Sequence, residues 1–71
     1  MALFRVRFMN QFPNKTGHDH PVCQREIEVI TNSEDEAIAQ AIREFQRHEA
    51  VRDWRLRASN IECRELPLPP D

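Results

Sequence analysis

Apolar and polar residues alternate along three stretches of this chain and follow a helical period along a fourth, in the order strand, strand, helix, strand. In residues 2 to 9, Phe4, Val6 and Phe8 fall on one side, with Leu3, Arg5, Arg7 and Met9 on the other. That is the period of two of a strand with one buried face. Residues 10 to 21 follow, holding the one glycine of the sequence, two prolines and two asparagines, and they read as a loop too long for a tight hairpin. The alternation resumes over residues 22 to 31. There Cys23, Arg25, Ile27, Val29 and Thr31 share one side, and Gln24, Glu26, Glu28 and Ile30 the other.

The helical stretch starts at Ser33, which can accept from the backbone N–H of Glu36 while the Glu36 carboxylate reaches back to the N–H of Ser33. Ala37, Ile38, Ala41, Ile42 and Phe45 then make an apolar stripe opposite Gln40, Arg43, Glu44 and Arg47. Acids fill the first turn and Arg47, His48 and Arg52 come late, matching the helix dipole, and the helix is expected to end near Ala50. At about 1.5 Å per residue it spans roughly 24 Å, enough to cover an eight-residue strand.

Beyond it, Trp54, Leu56 and Ala58 share one parity and Ile61 and Cys63 the other. A third strand over residues 56 to 66 therefore needs a bulge or bend near Ser59 and Asn60. Prolines close the sequence, so residues 1–66 form the one expected domain and residues 67–71 a tail without fixed structure.

A strand, strand, helix, strand order with a right-handed crossover closes in one favoured way. The expectation is an α+β fold with a three-stranded sheet in the order 2-1-3, one helix on one face, and Phe4, Val6 and Phe8 in the middle beneath it. The expected interior is Phe4, Val6, Phe8, Ile27, Val29, Ile38, Ala41, Ile42, Phe45, Trp54, Leu56, Ile61, Cys63 and Leu66. Cys23 and Cys63 then sit on the two outer strands, about two strand spacings apart, too far for a disulfide.

A length of 71 residues limits the core, so help from a second copy of the chain is expected. The net charge of −2 withholds the overall positive field of a nucleic-acid binder. The basic set is nine arginines and one lysine, which suits paired contacts with carboxylates on the sheet. Arg5 precedes any apolar run of signal-peptide length and no segment approaches a membrane span of about 20 apolar residues, so the cytoplasm is the expected location, without a membrane partner.

Candidate chemistry is sparse. His18, His20 and Cys23 carry ligand types that zinc accepts, without the paired spacing of a structural site, and a polar loop ending in a small core cysteine ranks ahead. No motif places an oxyanion site beside either thiol, no glycine-rich loop cradles phosphate, and neither an enzyme nor a cofactor is expected. The bare P-x-x-P of residues 67 to 70 is a weak match to polyproline ligands.

The face of the sheet without a helix carries the remaining signal. Arg5, Arg7, Glu26 and Glu28, with Arg55, Arg57 and Arg64, are the expected interaction residues of a small non-enzymatic interaction or regulatory module. Its expected partner is another protein or a second copy joined at a sheet edge or this face. Nucleic acid bound by the five arginines is the alternative, and metal binding through the His18 to Cys23 segment a third.

Overall fold

The computed structural model describes residues 1–13 and 19–68, with backbone alone at residues 12, 13, 19 and 20. Strand β1 (Ala2–Pro13) is followed by β2 (Asp19–Thr31), helix α1 (Glu34–Glu49), a 3-10 turn at Trp54–Leu56 and strand β3 (Asn60–Leu66). The sheet order is β2-β1-β3, and β1 pairs antiparallel with both neighbours. This is the expected α+β arrangement with the most regular apolar strand in the middle.

The core lies between β1 and α1. Phe4, Val6 and Phe8 are buried beneath Ala37, Ala41 and Phe45, and Ala58 closes one end. Residues 37, 41 and 45 recur at four-residue spacing on one helix face, and the two alanines let the backbone of α1 come close to the sheet. Phe45 then stacks flat on Phe8, with ring centroids 4.1 Å apart and planes within 11°. Trp54 meets Phe8 edge-on at 6.1 Å, capping the core with the quadrupole geometry that aromatic pairs favour. Ile27, Val29, Ile42, Ile61 and Cys63 pack around this centre partly buried, while Ile38 and Leu66 are half-exposed. Leu56, expected inside, is 65% exposed because it sits on the 3-10 turn.

Helix α1 starts as the sequence indicates, with the Ser33 hydroxyl accepting from Glu36 N–H at 3.2 Å. The reciprocal bond is replaced: the Glu36 carboxylate accepts from the hydroxyl of Thr31 at 2.7 Å, satisfying a buried polar group that would otherwise lack a partner. The helix ends without glycine. Ala50 takes the left-handed conformation (φ 55°, ψ 44°), and Val51 N–H reaches Gln46 O at 3.0 Å while Ala50 N–H reaches Arg47 O at 3.3 Å, the paired bonds of a Schellman ending.

Three strand expectations need correction. The hairpin arms run further into the expected loop, with Asn10 opposite Val22, Gln11 opposite Pro21 and the backbones of Pro13 and Asp19 in register. β3 has ended its pairing by Met9, so this ribbon is open on both sides among the described residues, the setting in which prolines such as Pro13 and Pro21 are tolerated. Residues 14–18, including His18, lie outside the described residues, as does the end of the tail from residue 69.

β3 begins at Asn60 rather than Leu56. Asp53 caps the preceding 3-10 turn, accepting from Arg55 N–H at 3.0 Å, and Gln46 Oε1 holds Trp54 N–H at 3.0 Å. The parity conflict between Trp54 and Ile61 is thus absorbed by a turn. Ser59 N–H and hydroxyl both donate to Met9 O and launch the strand, while Asn10 Nδ2 donates to Arg57 O at 2.6 Å.

The irregularity sits on β2 instead. Phe8 faces Arg25 but Met9 faces Cys23, so Gln24 is the extra residue of a bulge. A bulge shifts parity by one. Arg25 therefore keeps the helix side, where it reaches Glu49 at 3.0 Å, and Cys23 moves to the side of Met9 and is exposed, correcting its expected place in the core. Cys63 faces Val6 on the helix side, so the two free thiols lie on opposite faces as well as opposite borders.

Candidate interaction surface

Pleating places alternate residues of each strand on the face that α1 leaves open, and the two registers align them into rows across the sheet. Ile30, Leu3 and Leu66 make an apolar row at one end. Next come Glu28, Arg5 and Arg64, then Glu26, Arg7 and Glu62, and finally Cys23, Met9 and Asn60. The central six side chains are three arginines and three glutamates.

Ion pairs join β1 to β2. Arg7 Nε donates to Glu26 at 2.8 Å and Arg5 Nη2 to Glu28 at 3.3 Å. Arg5 Nε lies 3.4 Å from Glu26 without the alignment of a hydrogen bond, and it is buried with no hydrogen-bond partner. The bond from Arg7 holds the Glu26 carboxyl below its ordinary range, Arg5 adding to the effect through its charge, and Glu26 in turn raises the Arg7 guanidinium.

The β3 side of the same rows is different. Neither Glu62 nor Arg64 forms an ion pair within the chain among the described residues. Arg64 stands opposite Arg5, a like charge, at the outer border of the sheet. A hollow of about 350 Å³ lies here, lined by Arg5, Arg7, Glu62, Cys63 and Arg64. The Cys63 thiol itself lies on the helix side of β3, where burial pushes it above its ordinary pKa, so it is a poor thiolate.

The expected interaction residues do not all converge. Arg5, Arg7, Arg64, Glu26 and Glu28 share the open face, whereas Arg55 and Arg57 belong to the 3-10 turn beyond α1. Arg55 is also engaged, gripping Asp53 through Nε at 3.1 and 3.2 Å and through Nη2 at 2.8 Å, which holds the Asp53 carboxyl below its ordinary range. Carboxylates interleave with the arginines, and the five do not make one basic stripe. Parity along β3 already puts Glu62 on the open face with Arg64, two residues away on the same strand; what the third strand's register adds is that Glu62 stands opposite Arg7 and Arg64 opposite Arg5.

On the other face α1 stops short of the β2 border, leaving an open cleft of about 670 Å³ between Ile27, Val29 and Ile30 of β2 and Gln40, Arg43 and Arg47 of α1. Among the described residues no three His, Cys, Asp or Glu side chains come together as a metal site, and no helix is long and apolar enough to cross a membrane. Of the weak metal candidates, Cys23 faces the open side, His20 is placed by its backbone opposite Phe12, and His18 lies outside the described residues. Compared with known protein families, curated proteins and solved structures, the chain matches none of them.

Proposed function

We propose that this protein is a non-enzymatic interaction module that assembles through an open border of its sheet, with a second copy of the chain as its partner. The observation that supports this most directly is the three-stranded sheet whose two outer strands, β2 and β3, have no neighbour on their outer sides among the described residues. Unpaired backbone donors and acceptors along such borders favour addition of another strand. The small core adds to the case, because a second chain would bury more of the half-exposed apolar residues beside it. The engagement of Arg5 and Arg7 by glutamates counts against the alternative of a nucleic-acid surface.

The test is molar mass by light scattering across a wide concentration range. A rise from 8.4 kDa toward double that value is the expected result. A mass that stays at 8.4 kDa at the highest concentration overturns the reading.

A further inference from the structure

We infer that the border used is β3, and that it pairs antiparallel with β3 of a second copy about a two-fold axis through Cys63. This rests on the reading above and names its strand, register and partner. A two-fold axis normal to the sheet keeps both copies the same side up, so the central residue faces itself and every pair matches in parity. Three such registers are centred in the strand. Centring on Glu62 sets two glutamates face to face, and centring on Arg64 does the same with two arginines. Centring on Cys63 sets Glu62 opposite the partner's Arg64 and Arg64 opposite the partner's Glu62, and it places the half-buried thiols together on the helix side. Like charges directly opposite destabilise a strand pair, so the third register is selected.

The same register completes the charge rows of the open face. Arg64, whose directly opposite neighbour within the chain is Arg5, gains a carboxylate directly opposite on its other side. The row then reads Glu28, Arg5, Arg64, followed by the partner's Glu62, the partner's Arg7 and the partner's Glu26. Each arginine in it has a glutamate as a neighbour. Exposed pairs of this kind select a register more than they strengthen it, and the backbone ladder supplies the attraction. A seven-residue border buries little area, so the dimer forms in a concentration-dependent manner.

The experiment uses the full chain carrying Cys23→Ser, so that Cys63 is the one thiol, with circular dichroism to confirm folding of every variant. A short bis-maleimide is expected to give a covalent dimer whose yield rises with protein concentration and vanishes in Cys63→Ser. Arg64→Glu is expected to weaken dimerisation by roughly tenfold, since it creates two like-charge pairs at once, and Glu62→Arg/Arg64→Glu to restore it to within about threefold. A dimer by mass that neither cross-links at Cys63 nor responds to Arg64→Glu overturns this register and strand while leaving assembly through a sheet border standing. A chain that is monomeric at every concentration overturns both.

Discussion

Ala50 closes α1 in a conformation that costs an L-residue with a Cβ roughly 1 to 2 kcal/mol. The two bonds of the Schellman ending hold it there, so the position is one where glycine would keep the geometry and remove the steric cost. Ala50→Gly is expected to stabilise the fold by about 0.5 to 1 kcal/mol, and Ala50→Val to destabilise it, measured by chemical denaturation. A second residue prediction concerns Glu26. Its folded-state pKa lies below the ordinary value, chiefly through the hydrogen bond from Arg7, so its contribution to stability is complete above the unfolded pKa and is lost as pH falls through the folded one. In an NMR titration its carboxyl should protonate at lower pH than an ordinary glutamate, and Arg7→Ala should move that midpoint upward. Single residues were legible in the sequence where the cause was local. Ser33 could be read as the helix cap because three residues decide it, whereas the partner of Glu36 could not, because the Thr31 hydroxyl at the end of β2 competes for it, and its burial is settled by the packing of the sheet.

At the scale of elements, α1 was legible to its last turn because cap, charge gradient and apolar stripe agree. β2 was legible only as far as its period held. Nothing in the local pattern of residues 22 to 25 announces that Gln24 is an extra residue, since the bulge answers to the register with β1. Its consequence is testable. Deleting Gln24 joins Cys23 directly to Arg25 and turns the ladder regular, with Phe8 still facing Arg25 and Met9 still facing Cys23. The deletion variant is therefore expected to fold cooperatively, and Cys23 to react with a thiol reagent as fast as before in a Cys63→Ser background. A Cys23 that is slow to react in the parent and fast after the deletion would place it on the core side of an unbulged strand. β3 was misjudged at its start for a related reason, since Asp53 and Gln46 bind the backbone of residues 54 and 55 into a turn that parity alone reads as strand.

The whole molecule was legible in its topology, because four elements of known type with one helix have one favoured closure, and the sheet order β2-β1-β3 is that one. Its surface was legible in part: parity names the residues of the open face, Arg5, Arg7, Glu26 and Glu28 among them, but which of them stand opposite one another in the charge rows depends on two registers at once. Those rows also distinguish the borders. On β2, self-pairing centred on Ile27 would set Glu26 opposite the partner's Glu28, and centring on Glu28 would set that residue opposite itself. Centring on Val29 avoids the clash but overlaps only residues 27 to 31, and beyond the bulge Pro21 has no N–H to donate. A chain with one border open to self-pairing and the other guarded by like charges stops at two copies, whereas two permissive borders would grow into a filament. The two glutamates engage Arg5 and Arg7 within the chain, and in the proposed assembly they would also repel their own kind at the edge. Replacing both, as Glu26→Thr and Glu28→Thr, keeps good strand formers at these positions while removing the repulsion. The expected outcome is assembly beyond a dimer, seen as a growing scattering mass at concentrations where the parent is steady. A variant that folds and keeps the parent's mass would show that the β2 border is closed by something other than its charges.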